Sequence, residues 1–369
     1  MRRFIEIDDN ELAAKVLSSN TMIERYAFQC VDFTKFVEEI ERVTFKECLF
    51  LGCKLAKAMR CNLDSSNTVL TSLHVPYSVF KTSLYTPQSL YEGYDKDNPD
   101  TLSESYDVRV YNHYLEQGIR TDDVSETLAR TLHDHSMSEA LHDFLSLRDE
   151  KDVVAIMGGH ALLRTDAVYK QIVYISKLLT EKGKLMVSGG GPGAMEATHL
   201  GAWLAGRTDE EVEEALSMLV DYPSFKDKCW LSSAFEVMER FPQEKYDSVG
   251  IPTWLYGHEP ATPFATHIAK YFENSIREDG LLTIAMGGVI YTPGSAGTMQ
   301  EIFQDAVQNH YLSFGYASPM AFLGVDYWTN QMPAYTLLET LQKTGKYKNL
   351  LLSITDSTEE IVQSIMDFK

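Results

Sequence analysis

The stretch DVVAIMGGHALLRTDAVYKQIVYISKLLTEKGKLMVSGGG, residues 152–191, sets the architecture. DVVAIMGG is an unbroken apolar run closed by glycines, which predicts a strand buried on both faces. Val168, Ile172, Ile175, Leu178 and Leu179 then recur at helical spacing until Gly183 stops the pattern. KLMVSGGG is the next strand, with the same glycine ending. Strands that alternate with helices form a parallel sheet covered on both faces, so the fold class is α/β.

The pattern continues to the C-terminus. AMEATHLGAWLAG reads as a helix, and IPTWLYG, GGVIYT, PMAFLGV and LLLSI read as strands. A helix is predicted over residues 298–311 and a last one after Ser357. In such sheets ligands sit beyond the C-terminal strand ends. Three glycine-rich turns fall there: MGGH at 157–160, SGGGPGAM at 188–195 and TPGSAGT at 292–298.

The first 150 residues are less regular. FKECLFLGC (45–53) reads as a strand ending in Gly52, and NTVLTSL as another. Residues 95–105 form a polar loop, and DVSETLARTLHDHSMSEALHDFLSL an amphipathic helix with Ser125 as a candidate cap. This predicts a smaller α/β or mostly helical accessory domain over 1–147, joined near RDEKD to the sheet domain over 148–369, with no internal repeat.

Composition excludes several functions. Lys+Arg is 33 against Asp+Glu 53, a net charge of −20, so no nucleic-acid partner is expected. No window approaches a membrane span and the first residues do not form a signal peptide, so no membrane partner is expected. The odd set Cys30, Cys48, Cys53, Cys61 and Cys229 suggests reduced thiols and a cytoplasmic setting. Cys48, Cys53 and Cys61 lack C-x-x-C spacing. His133 and His135 stand two apart on a helix, about 200° around its axis. No metal site and no cofactor are expected.

The glycine loops suit an anion. Glycines let a ligand approach the backbone, and a following helix offers unpaired N–H groups and a positive dipole end. The SGGGPGAM loop departs from the dinucleotide fingerprint, and no acidic ribose ligand follows at the usual distance. That disfavours a hydride-transfer enzyme. In PGSAGTMQE, Ser295 and Thr298 add hydroxyls, so a nucleoside monophosphate fits better than a dinucleotide. Glu301 has two readings that spacing alone leaves open. Thr298-x-x-Glu301 is a capping-box pattern, and the same carboxylate could instead face a ligand.

GGGPGAMEA and PGSAGTMQE together resemble the paired motifs of the Lonely Guy family, GGG-x-x-G-x-M followed by PGG-x-GT-x-x-E. The resemblance covers residues 152–369. It implies a Rossmann-like sheet and a nucleoside 5′-monophosphate phosphoribohydrolase, a class often mislabelled lysine decarboxylase. Glu301 would steady an oxocarbenium-like state, with Arg277 as the second catalytic residue. Gly294, Ser295, Gly297 and Thr298 would cradle the 5′-phosphate. Gly190, Gly191 and Met195 would line the nucleotide, and His160 and Arg164 would touch it. Ser295 replaces the family's second glycine and Glu278 its usual lysine, while the long N-terminal region is more like the larger bacterial nucleosidases of the family. The family's dimers imply a homodimer or higher homo-oligomer. The alternative is a sensor that binds a monophosphate without cleaving it. Turnover is expected to require the 5′-phosphate, so assays of AMP against adenosine should show free adenine from AMP alone; equal rates would contradict this.

Overall fold

Val153–Met157 is buried along its whole length, because both faces of this central strand are covered. The computed structural model describes residues 4–71 and 73–368, leaving aside the side chains of residues 60–62, and with them that of Cys61. In chain order the elements begin with β1 (Ile5–Ile7), α1 (Asn10–Ser19), β2 (Met22–Glu24), β3 (Tyr26–Gln29), α2 (Val37–Ile40) and β4 (Thr44–Lys46). There follow β5 (Leu49–Leu51), α3 (Lys57–Asn62), β6 (Thr68–Leu70), α4 (Pro87–Leu90), α5 (Tyr106–Gln117) and α6 (Val124–Leu145). The sheet domain opens with β7 (Val153–Met157), α7 (Ala167–Glu181), β8 (Leu185–Ser188), α8 (Ala194–Trp203), α9 (Asp209–Leu219) and α10 (Trp230–Arg240). It continues with β9 (Ser248–Gly250), β10 (His267–Ile268), α11 (Asn274–Ile284), β11 (Val289–Tyr291) and α12 (Ala296–Tyr311). It ends with β12 (Pro319–Leu323), α13 (Ala334–Lys343), β13 (Leu351–Thr355) and α14 (Thr358–Met366). Among the described residues no helix is long and apolar enough to cross a membrane.

The main sheet is seven-stranded in the order β10-β9-β8-β7-β11-β12-β13, with parallel pairing throughout. The chain runs outward from β7 through β8, β9 and β10, then returns to the other side of β7 with β11. This is the doubly wound, Rossmann-like arrangement, and its topological switch point lies between β7 and β11. One helical layer, from α7, α8, α9, α10 and α14, buries Ile172, Leu200, Val212, Val237 and Ile365 in the same core as Val154, Ile156 and Ile290.

Several boundaries differ from the sequence reading. IPTWLYG is not a strand. β9 ends just before it, Pro252 has no N–H to continue a ladder, and Thr253 caps a short 3-10 turn at Trp254–Tyr256. The long helix α6 is capped by Asp123, whose carboxylate accepts from Ser125 N at 2.8 Å, and not by Ser125. FKECLFLGC splits into β4 and β5 at Glu47, whose φ is 52°.

The chain divides into two compact units, Met1–Leu84 with Leu115–Asp143, and Tyr85–Tyr114 with Phe144–Lys369. The smaller unit is α/β and contains a repeat that the sequence reading missed. Strands β1, β3, β5 and β6 stack in parallel, as do β2 and β4. Positive-φ corners recur at Arg25 and Glu47, and at Cys30 and Gly52. Arg25 and Glu47 are 22 residues apart and joined by an ion pair of 2.6 Å. Between rungs Phe28 and Phe50 stack at 5.4 Å, with Phe33 and Phe45 edge-on to them. Each strand pairs through three residues, too few to show as periodicity. Cys48 and Cys53 are buried in this core, their thiols donating to the carbonyls of Ile23 and Phe28. Burial pushes the Cys53 thiol up to about 12.

Residues 85–114, assigned by sequence to the accessory domain, pack instead in the larger unit. The reason is a polar knot in its core. Asp107 accepts from Lys270 Nζ at 2.6 Å and from Trp254 Nε1 at 3.0 Å, and Lys270 is fully buried. Tyr91 donates to the Ala261 carbonyl. A fragment starting at residue 148 therefore loses the partner of a buried ammonium. Asp107→Ala should cost roughly 3–5 kcal/mol, since an unpaired buried charge remains. Urea unfolding of the full chain measures this, and a loss below about 1 kcal/mol would refute the assignment.

Candidate functional site

The three glycine-rich turns lie at the C-terminal ends of β8, β7 and β11, which are neighbours in the sheet. Backbone hydrogen bonds lock them together. Gly159 N donates to the Pro293 carbonyl at 3.1 Å, and the Gly159 carbonyl accepts from Ala194 N at 3.1 Å. Thr292 N donates to the Met157 carbonyl at 2.8 Å. Gly193 takes φ of 69° as the residue preceding α8, and a Cβ there would lie 2.4 Å from the Gly159 carbonyl oxygen. Only glycine permits that approach. Gly190 and Gly191 are buried within the second turn, where the Met195 sulfur accepts weakly from Gly191 N at 3.4 Å.

The third turn leads into α12, which starts at Ala296 with Ser295 as its cap residue. The capping box Thr298-x-x-Glu301 does not form. Thr298 is already in the first helical turn, and Glu301 lies too far along to reach the cap amide. Intrahelical bonding begins with Met299 N to the Ser295 carbonyl at 2.9 Å. The preceding N–H groups of Ala296, Gly297 and Thr298 are the orphan donors of a helix start. Ser295 and Gly297 are exposed, and the Ser295 hydroxyl makes no capping bond. Thr298 is buried with its hydroxyl against Gly294. Tyr327 donates to the Gly294 carbonyl at 2.6 Å and steadies the turn.

Two carboxylates lie one turn apart on α12. Among the described residues Glu301 makes no hydrogen bond or ion pair. Burial pushes it up to about 7, against the opposing pull of Arg277 and with a further push from Glu278. Asp305 is buried, accepts from the Tyr291 hydroxyl at 2.7 Å, and is also pushed up to about 7 by burial. Arg277 reaches across from α11. Its Nε donates to the Ile251 carbonyl at 2.8 Å, and Nη2 lies 2.1 Å from where a Cβ on Gly189 would be. Gly189 is thus required for the guanidinium to reach the second turn. Glu278, which replaces the lysine of the resembled family, clasps α11 to α12 by accepting from Gln300, and also accepts from Asn274 in its own helix.

Arg164 does not face this site. Its five N–H donors are all engaged, bidentate to Glu196 and singly to Tyr222 O, Ser233 Oγ and Trp230 O. Tyr169 donates to the same Glu196 at 3.0 Å. Arg164 ties the loop after β7 to α8 and α10, and no donor remains for a ligand. His160 is exposed, with Nε2 3.8 Å from Glu259 Oε1. Together with Phe225, Lys226, His258 and Glu259 it lines a cleft of about 570 Å³. Residues 258–259 and 225–226 follow no motif, so only the folded chain brings them to the glycine loops. His133 pairs with Asp134 at 3.0 Å in the smaller unit.

A second unanticipated group lies under the turn. Buried His199 joins Ser188 at 2.8 Å and Ser248 at 2.9 Å, and Ser188 accepts from Gly190 N at 3.1 Å. Burial holds this imidazole down to about 3, so it stays neutral while bracing the loop.

No family model matches the chain, and no curated relative matches it. Solved structures similar to it include the molybdenum cofactor binding protein of Rippkaea orientalis, with 15% identity, a TM-score of 0.35, and 58% of this chain and 94% of that one covered. The molybdenum cofactor carrier protein of Chlamydomonas reinhardtii gives 12% identity, a TM-score of 0.36, and coverage of 58% and 96%. The protein designated TM1055 gives 20%, 0.38, and 58% and 98%. Likenesses this distant carry no inference about activity.

The two raised carboxyls make stability depend on pH. A carboxyl whose folded pKa lies above its unfolded value favours the fold while neutral. That stability is full below about pH 4 and is lost as pH rises through about 7. The melting temperature should therefore fall between pH 5 and pH 8. Asp305→Asn keeps an acceptor for Tyr291 and should fall less steeply, by an amount on the order of a few kcal/mol. Parallel curves for the variant and the parent would refute this.

Proposed function

We propose that the chain cleaves the N-glycosidic bond of a nucleoside 5′-monophosphate with water, giving free base and ribose 5-phosphate. The observation that carries this is Glu301: a half-buried carboxylate with no hydrogen-bond donor among the described residues, its carboxyl pushed up to about 7, at a switch-point site that also receives the Arg277 guanidinium. A carboxyl with that pKa is poised to act as a base near neutrality. A fixed anion beside the sugar also stabilises positive charge developing at C1′.

Each remaining part has a matching task. The orphan amides at the start of α12, with the Ser295 and Thr298 hydroxyls, take the phosphate. Gly190 and Gly191 let the nucleotide lie close to the backbone, and Gly294 and Gly297 open the phosphate turn. Arg277 is anchored by Ile251 and orients the substrate opposite Glu301. Water attacks C1′, and Glu301 takes its proton. Homodimerisation belongs to the same reading, as does a regulatory or lid role for the smaller unit. Ser295, a side chain where the resembled family has glycine, favours a second reading in which the monophosphate is bound and kept intact.

Glu301→Gln separates these. The substitution is nearly isosteric, so the fold should hold and its melting temperature at pH 8 should not fall. Turnover should drop at least ~100-fold, the effect of losing one preorganised electrostatic group of roughly 2.7–4 kcal/mol. Binding of the monophosphate should persist. Free base released by the variant within about threefold of wild type would refute the catalytic role. Binding without any base release by the wild type would favour the sensor.

A further inference from the structure

Glycosidic cleavage needs a proton as well as a water. When the C1′–N bond breaks, its electron pair goes to the base, and an unprotonated base leaves poorly. None of the groups at the sugar supplies that proton. Arg277 carries a guanidinium, which does not deprotonate in proteins. Glu301, in the proposed reaction, receives the proton of the attacking water.

The cleft lined by His160, Phe225, Lys226, His258 and Glu259 adjoins the same glycine loop. A Cβ on Gly191 would lie 3.9 Å from Glu259 Oε2, and one on Gly189, two residues earlier in the same loop, would meet Arg277 Nη2 at 2.1 Å. Its volume of about 570 Å³ falls within the usual range of small-ligand pockets, about 300–1,000 Å³. Phe225 supplies an aromatic wall and Ala161 and Leu163 apolar surface, which suit a planar base. The Glu259 carboxylate makes no hydrogen bond among the described residues and has imidazole nitrogens of His160 and His258 each at 3.8 Å.

His160 is the better placed of the two imidazoles. It directly follows Gly159, whose N–H and carbonyl are both bonded across the two other turns. Its ring stands edge-on to Phe225, with centroids 6.3 Å apart. His258 lies on the loop beyond the 3-10 turn and is more exposed, 63% against 52%.

We infer that His160, held by Glu259, donates the proton to the departing base. This rests on the proposed hydrolysis and adds its acid. The imidazolium gives a proton to a ring nitrogen of the base as the C1′–N pair moves onto that base. Glu259 positions the ring and balances its charge. Water adds to C1′, its proton passes to Glu301, and both side chains return to their starting state by exchange with solvent. Lys226 and His258 face the same cleft, so the experiment must distinguish them from His160.

The test compares guanosine 5′-monophosphate with its N7-methyl derivative. The methylated base is already cationic and departs neutral without being protonated. His160→Asn should lower kcat on the unmethylated substrate at least about 100-fold, the ordinary worth of general-acid catalysis, and change kcat on the methylated one by less than about threefold. Glu259→Gln should show the same selectivity with a smaller loss, and His258→Asn and Lys226→Met should not show it. Equal losses on both substrates, or a selective loss in His258→Asn or Lys226→Met instead, would overturn the assignment while leaving hydrolysis standing. If the wild type cleaves neither nucleotide and no other monophosphate, the hydrolytic reading itself fails, and this inference with it.

Discussion

The two hydrogen bonds of Gly159 hold the site together. Its N–H reaches the turn after β11 and its carbonyl reaches the start of α8, so one residue after β7 ties together the turns that follow three strands. These strands are adjacent only because the chain reverses direction at β7. The crevice created by that reversal is where a doubly wound sheet leaves backbone groups open to a ligand. Supporting side chains act through the same point. His199 braces Gly190 through Ser188, Tyr327 holds Gly294, and Arg164 anchors the loop that carries His160.

The site combines well-compensated and poorly compensated charge. Arg164 and Glu196 are almost wholly buried and satisfy one another, with every guanidinium donor engaged. Asp107 and buried Lys270 also pair, at 2.6 Å, with Trp254 as a second donor to the carboxylate. Glu301, by contrast, is half-buried with no donor among the described residues, and desolvation raises its carboxyl to about 7. Asp305, one turn on, is likewise raised to about 7 with only the Tyr291 hydroxyl as partner among the described residues, so both raised carboxyls of α12 lie along one stretch of the helix.

The smaller unit is built differently. Its core is an aromatic stack repeated between parallel rungs, with turns at Arg25, Cys30, Glu47 and Gly52 that take positive φ. The thiols of Cys48 and Cys53 are packed there as small apolar groups donating to carbonyls. Burial raises both, which disfavours the thiolate that redox chemistry or metal binding requires.

Local sequence was sufficient for whatever depends on neighbours along the chain. The apolar run 153–157, the helical spacing of 168–179 and the three glycine-rich strand ends all match the folded protein, because strand burial and strand–helix turns are encoded within a few residues. The positions of Glu301 and Arg277 were legible from their motif and segment. The 22-residue repeat was not, since three paired residues per rung leave too little periodicity, and IPTWLYG was misread because its apolar composition obscured the effect of Pro252. The roles of charged side chains depended on tertiary structure. Arg164 is spent on Glu196, Asp107 draws residues 85–114 into the larger unit, and Glu259 meets His160 from a loop about a hundred residues away along the chain. Hydrogen-bond satisfaction and desolvation are set by whatever surrounds a group in space, and only the folded chain determines that.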